Sequence, residues 1–225
     1  MNPPDQTPRR RDRIDGRAIR DGASSIGVAI DDDAARRLAV YLDAMLDENE
    51  HVNLTAVRDP STAVVLHAVD SLAIALAVAE PPRAVFDLGT GNGFPGVACA
   101  VLWPSARVVL CDRTQKKLIA IVRCLQLAGI VAEPLWADAD QLPARDPAQL
   151  AAFDLVVARA VGDPAAVARG SAPLLAPGGR LALWLTAEDR PPVTLAGGMG
   201  RERVVRYELP EPARRTRAIN VWRKD

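Results

Sequence analysis

Ala84-Val-Phe-Asp-Leu-Gly-Thr-Gly-Asn-Gly-Phe-Pro-Gly96 begins with residues apolar enough for a buried strand and breaks into glycines at Gly89, Gly91 and Gly93. Glycine suits a turn that visits positive φ and lets a ligand approach the backbone closely. Pro95 lacks an N–H and fixes φ, which suits the start of a following helix. Strand, glycine turn and helix in that order are how doubly wound α/β sheets hold an adenine nucleoside. Phe94-Pro95 sits where an ordinary nicotinamide fingerprint has its third close-packing residue, so that cofactor is disfavoured.

Downstream, Arg107-Val-Val-Leu-Cys111 reads as a second buried strand with Asp112 at its carboxyl end. An acid about 20 residues past the glycines can accept the hydroxyls of a ribose. Either feature alone is often only a turn or a cap; in register they point to a nucleoside-cofactor site.

From Arg83 onward strands and helices alternate. Strands are expected at 84–88, 107–111, 130–136, 153–158 and 180–185, with helices at 95–102, 116–127 (closed by Gly129) and 164–175. Segments 203–209 and 218–222 read as a terminal hairpin, and 188–200 as loop. That alternation predicts a mainly parallel sheet with helices on both faces. Upstream, Asp31 to about Asn49 and a segment opening at Ser61 read as helices, forming a small cap over residues 25–80. Residues 1–24, rich in arginine from Arg9 to Arg20, read as a mobile arm, and residues 81–225 as the nucleotide domain.

Composition sets bounds. The 225 residues suffice for one α/β domain with an extension, and 28 basic residues balance 28 acidic ones. Zero net charge argues against a surface coated with nucleic-acid contacts, but Arg9 to Arg20 and Arg214, Arg215, Arg217 and Arg223 cluster at the ends, where they could meet phosphates. Cys99, Cys111 and Cys124 lack metal-like spacing and read as buried reduced thiols. No metal site is expected. No apolar run reads as free of charge or proline for long enough to cross a bilayer, and the N-terminus shows no hydrophobic core of a signal peptide, so a cytoplasmic protein is expected.

Ligands of such sheets lie across the carboxyl ends of the strands. That rule gathers Gly89 to Phe94, Asp112, Ala139, Asp140 and Arg159, with Asp138 or Asp140 placed to accept from an adenine amino group. Arg159 needs an anionic or acceptor partner, either a ligand or an ion pair with Asp112 or Asp163. His67 and Asp70, at helical i, i+3 spacing, read either as a catalytic pair or as a structural hydrogen bond.

The run Asn53-Leu-Thr-Ala-Val-Arg-Asp-Pro60, then His67-x-x-Asp70-Ser-Leu72, then Asp87-Leu-Gly-Thr-Gly-Asn-Gly-Phe-Pro-Gly96, then Arg159-Ala160, resembles the bacterial 16S rRNA (guanine-N7) methyltransferase family, also called the glucose-inhibited division protein B family. The similarity spans roughly residues 31–185. It implies a Rossmann-like class I S-adenosylmethionine-dependent methyltransferase, with a seven-stranded sheet and an N-terminal helical part. It implies cofactor contacts at Gly89, Thr90, Gly91, Gly93, Phe94, Asp112, Arg113, Ala139, Asp140 and Arg159, with Arg159, Lys116, His67 and Asp70 as positioning candidates. The implied activity is methylation of a guanine N7 in 16S rRNA, alone or in the small ribosomal subunit, by a monomer that uses no membrane. Glu48 stands where the family usually has Trp, Arg113-Thr114-Gln115 replaces Ser-Leu-Gly while Lys116 is kept, and Leu185-Thr186 replaces Lys-Gly. The lost cleft lysine bears on rRNA engagement more than on cofactor binding, and leaves two rivals: a paralogue that methylates a small molecule, and a nucleotide-binding module without catalysis.

Overall fold

The computed structural model describes residues 14–138, 141–142, 146–160, 162–186 and 188–225. Eight strands form one sheet: β1 (Ala84–Leu88), β2 (Arg107–Asp112), β3 (Glu133–Trp136), β4 (Phe153–Arg159), β5 (Leu175–Thr186), β6 (Thr194–Leu195), β7 (Met199–Leu209) and β8 (Arg215–Lys224). Their order is β3-β2-β1-β4-β5-β8-β7-β6. The first five run parallel, and β8, β7 and β6 continue by antiparallel pairing. The sheet is thus α/β and mostly parallel as expected, with one strand more than the seven foreseen. The extra strand is β6, only two residues long, inside the segment read as loop. So short a piece carries no alternation for a sequence to display.

Strand β4 shows why the parallel centre forms: its Leu155 to Ala158 run is buried on both faces. Val85, Val108, Leu155 and Val157 turn to one face, and Phe86, Val109, Val156 and Ala158 to the other. The first face carries α1 (Gly16–Ser25), α2 (Asp32–Glu48), α3 (Pro60–Ala77), α4 (Gly96–Leu102) and α5 (Gln115–Ala128). The second carries α6 (Pro164–Ser171). The cap helices therefore share one continuous core with the sheet.

Several boundaries differ from the sequence reading, among them the starts of β7 at Met199 and of β8 at Arg215. The arm read as ending at residue 24 gives way to α1: Asp15 caps it by accepting from the Arg17 amide, and Ile19 and Ala23 are buried. Its charged face faces solvent, and two apolar residues in a charged stretch were too few to reveal it. Residues 1–13 lie outside the described residues. Strand β3 begins at Glu133 rather than Ile130, and α6 ends at Ser171 rather than Leu175, whose residues open a longer β5. Helix α3 is also apolar and long enough, by length and composition, to cross a membrane, contrary to the expectation that no such run exists. It is mostly buried inside the molecule, as a core helix is.

Within α3, Val64–Val69 is a π-helical stretch. The Asp70 amide reaches back to the Val65 carbonyl instead of Leu66. Such π turns are frequent where a helix serves a site.

Candidate functional site

A cleft of about 830 Å³ opens at the carboxyl ends of β1, β2 and β4 and is walled on one side by α3 and its preceding loop. Its size falls within the usual range of small-molecule and cofactor sites. Gly89, Thr90, Gly91, Phe94, Asp112, Arg113 and Arg159 line it, together with His67 and Asp70. Gly93 and the exposed Lys116 do not line it; Lys117, the next residue, does. Asp138 lines it as well, whereas Ala139 and Asp140 fall outside the described residues.

The glycine turn is fixed from both sides. Asp112 Oδ2 accepts from the Gly91 amide at 3.0 Å and Oδ1 from the Thr114 amide at 2.8 Å. The carboxylate therefore joins the end of β2 to the turn after β1 and keeps lone pairs for a further donor. Gly91 holds φ +60 and Gly93 φ +95, both left-handed. At Gly93 a Cβ would sit 1.9 Å from the Tyr41 hydroxyl, so the close approach of α2 also demands glycine there. Tyr41 itself donates to the Asn92 carbonyl at 3.0 Å.

Asp87, inside the turn, is fully buried. Its Oδ2 accepts from the Thr90 hydroxyl at 2.6 Å and the Gly96 amide at 2.8 Å, while Oδ1 has no partner among the described residues. Burial raises its pKa to about 7, against the lowering effect of those two hydrogen bonds.

His67 and Asp70 do not act as a pair; each serves a different network. The Asn92 side chain donates its Nδ2 to His67 Nδ1 at 3.2 Å, because its Oδ1 accepts from the Phe94 amide. His67 Nε2 then carries the proton and donates to Thr55 Oγ1 at 3.0 Å. The ring stacks on Phe94, with centroids 6.1 Å apart, and Phe94 in turn meets Tyr41 edge-on. Burial, helped by the nearby Arg159 charge, lowers the His67 pKa to about 3, so the imidazole is neutral. Upstream, Asn49 Oδ1 accepts from the Leu54 and Thr55 amides, which holds the Asn53-Leu-Thr55 loop against the cleft.

Asp70 is the partner of Arg159, in place of the expected Asp112 or Asp163. Arg159 Nη1 donates to Asp70 Oδ2 at 3.1 Å and to the Leu66 carbonyl at 2.8 Å, the acceptor that the π turn leaves without the Asp70 amide. Asp163 instead caps α6 by accepting from the Ala166 amide. Asp70 also accepts from Tyr207 at 2.6 Å and from Arg217 at 3.3 Å, so one buried carboxylate holds two guanidinium groups and a phenol. Burial works against the Arg217 charge, and the Asp70 carboxylate more than offsets it, raising the pKa. Arg217 was read only as an end-of-chain phosphate contact; Tyr207, Thr55 and Asn92 were not singled out as single residues. Tyr207 had no local signal, since only the fold brings β7 to α3.

The substituted positions have structural partners. Glu48 pairs with Arg123 of α5 at 3.3 Å, tying α2 to α5. Leu185 lies beside a second, smaller recess of about 270 Å³ that shares Ala160, Val167 and Arg217 with the cleft. The three cysteines are buried, and burial pushes the Cys111 and Cys124 thiols up to about 12. Among the described residues no cluster of His, Cys, Asp and Glu forms a metal-binding group.

Comparison with known proteins adds a family. The family model described as rRNA small subunit methyltransferase G matches residues 34–189. The chain is 34% identical over 210 residues to the ribosomal RNA small subunit methyltransferase G of Anaeromyxobacter sp., covering 92% of this chain and 96% of that one. It is 33% identical over 163 residues to the protein of that name from Pelotomaculum thermopropionicum, covering 72% of this chain and 68% of that one. Among solved structures, a predicted O-methyltransferase of Agrobacterium tumefaciens aligns with a TM-score of 0.52 at 20% identity, covering 69% of this chain and 80% of that one, a likeness of fold alone. With the family model spanning most of the chain, and with the class I methyltransferase sheet that carries its glycine turn and acid, the protein belongs to the rRNA small subunit methyltransferase G (GidB) family.

Proposed function

We propose that this protein transfers a methyl group from S-adenosylmethionine to N7 of a guanine in 16S rRNA. The observation that carries the reading is the Asp112 carboxylate, held between the Gly91 and Thr114 amides at the floor of a cleft large enough for a nucleoside. The residues fit the cofactor. Asp112 offers acceptors to ribose hydroxyls, the Gly89–Gly91 turn allows close backbone approach, and Asp138, Ala139 and Asp140 would meet the adenine. Arg159 and Arg217, two cations on one carboxylate, leave positive charge for a carboxylate or phosphate at the opposite end. When bound, S-adenosylmethionine supplies a methyl group carried on a sulfonium.

Guanine N7 has a lone pair and no proton, so the chain needs no general base. The neutral His67, with both ring nitrogens engaged, agrees with that economy. What remains is positioning in a site cleared of water, an effect of roughly 7–11 kcal/mol at best. Arg159, clamped by Leu66 and Asp70, keeps the wall of α3 against the carboxyl end of β4. In this reading residues 25–80 are the cap that closes the cleft, residues 81–225 bind the cofactor, and the enzyme acts as a cytoplasmic monomer. The named relatives do not favour a small-molecule acceptor.

The test is methyl transfer from labelled S-adenosylmethionine to small ribosomal subunits, to naked rRNA and to a metabolite extract, followed by nucleoside mass analysis. Label in 7-methylguanosine from rRNA is expected. Label confined to small molecules overturns the reading.

A further inference from the structure

The chain has four tryptophans. Trp103, Trp184 and Trp222 are buried, between 0 and 8% exposed, whereas Trp136 is 62% exposed. It ends β3, the edge of the sheet, and it does not line the cleft. Its orientation is nevertheless fixed: the indole Nε1–H donates to the Arg113 carbonyl at 3.1 Å. An indole anchored by its N–H on one edge leaves its ring open, which is unusual for so large an apolar group outside a contact.

Its surroundings are cationic. Arg113, whose carbonyl pins the indole, has an exposed side chain, and Lys116 and Lys117 follow in the first turn of α5. None of these three makes a salt bridge among the described residues, whereas Arg107 on this same edge pairs with Glu133. Unpaired cations beside an ordered, open aromatic ring are the two components of a single-stranded nucleic-acid platform: charge to track phosphates and a π face on which a base stacks. Trp136 itself does not line the cleft, whereas Arg113, Lys117 and Ala137, the residue after it, do, so the indole stands at the cleft's rim.

We propose that Trp136 is a stacking platform for an unpaired base of the RNA acceptor, with Arg113 and Lys117 holding the adjoining phosphates. The proposal rests on rRNA being the substrate and assigns one face of the protein to it. Trp136 acts on binding of the acceptor and takes no part in the transfer.

The experiment uses the full chain and naked 16S rRNA as the probe. Because the other tryptophans are buried, acrylamide quenching of the native protein reports chiefly on Trp136. Saturating rRNA is expected to protect that fluorescence, whereas S-adenosylmethionine alone is not. Trp136→Ala is expected to weaken rRNA binding roughly 5- to 150-fold, the range that 1–3 kcal/mol per stacked base represents. Trp136→Phe should retain most of the affinity, and both variants should bind S-adenosylmethionine as the parent does. Arg113→Gln with Lys117→Gln should lower the salt dependence of rRNA binding, with a slope shallower by about 0.7 per charge lost. Unchanged rRNA affinity and methylation in Trp136→Ala overturn the platform while leaving the function intact. Protection by S-adenosylmethionine alone overturns it by placing Trp136 in the cofactor site. A parent protein that neither binds nor methylates 16S rRNA, naked or in small ribosomal subunits, overturns both readings, and small-molecule methylation in the same assay separates that outcome from an inactive preparation.

Discussion

Arg159 of β4 and Asp70 of α3 meet at 3.1 Å with side chains 11% and 2% exposed, and the same carboxylate also holds Arg217 of β8. Three segments distant in the chain are thus pinned at one point on the cleft wall. The Asp70 carbonyl accepts from the Trp184 indole at 2.8 Å as well, which adds β5 to the junction. A cation buried this deeply depends on its partner, because the desolvation cost stays when the partner leaves.

Asp70→Ala would leave two guanidinium groups without a counter-charge and the Tyr207 hydroxyl with only the backbone carbonyl of residue 70, at 3.3 Å, as acceptor. Removing one member of a buried charge pair typically costs about 3–5 kcal/mol. Urea unfolding is expected to show a loss of that size. Asp70→Asn, which keeps a carbonyl for Tyr207, should lose less. A loss below about 1 kcal/mol in Asp70→Ala would show that solvent already reaches the pair and that the junction is not structural.

Much of this site was legible in the sequence, for physical reasons that differ by residue. Gly89, Gly91 and Asp112 could be read because backbone geometry restricts what a strand–turn–helix can contain, and that restriction is local. The parallel strands could be read because burial on both faces leaves continuous apolar runs such as Leu155 to Ala158. Arg159 was found, but its partner was sought among neighbours at strand ends; the partner came from a helix 89 residues earlier, and no local pattern encodes that meeting. His67 and Asp70 sit at a spacing that suggests contact on an ordinary helix. The π turn between Val64 and Val69 alters that face, and His67 turns to Thr55 and Asn92 instead. Helix α1 stayed hidden because its few buried residues stand among arginines.

Asp112→Asn tests the ribose contact directly. The amide can still accept through one oxygen, but the charge that strengthens hydrogen bonds from ribose hydroxyls is gone. Hydrogen bonds to a charged group contribute about 1.5–3 kcal/mol, so S-adenosylmethionine should bind roughly 10- to 150-fold more weakly by calorimetry. Thermal stability in the absence of cofactor should fall by less than Asp70→Ala causes. Equal cofactor affinity in the variant would place the nucleoside elsewhere in the cleft.

Gly93→Ala should be poorly tolerated even though Gly93 does not touch the cleft. The added Cβ meets the Tyr41 hydroxyl at 1.9 Å, and φ of +95 strains any L side chain. Backbone strain of roughly 1–3 kcal/mol and overpacking of about 1–3 kcal/mol act together here. Tyr41→Phe alone, by contrast, removes only the bond to the Asn92 carbonyl and should cost about 1 kcal/mol. Denaturant melts of the two single variants check the ordering; a Gly93→Ala variant as stable as the parent would mean that α2 can withdraw from the turn.

The pH dependence of stability should contain opposing contributions from two buried groups, His67 and Asp87. His67 has a folded pKa of about 3 against 6.5 for the free group. The unfolded chain therefore binds its proton first, and the stability that neutral His67 contributes is complete above pH 6.5 and lost as pH falls toward 3. Asp87 behaves in reverse, with a folded pKa of about 7 against 3.8. The native state holds its proton longer, so its contribution is complete below pH 3.8 and lost as pH rises to 7. Between pH 4 and 6.5 the two slopes partly cancel, and the native protein should show a flatter profile than either group alone would give. Single variants unmask them. Relative to the parent, His67→Gln should gain stability as pH falls from 6.5 to 4, whereas Asp87→Asn should gain as pH rises from 4 to 7. Melting temperatures across that window for the three proteins provide the measurement, and difference curves of the same sign would contradict at least one assignment. The raised pKa also explains how a buried acid whose Oδ1 has no partner among the described residues is tolerated. Near neutral pH it is partly protonated, so the turn that shapes the cleft need not hold a full buried charge.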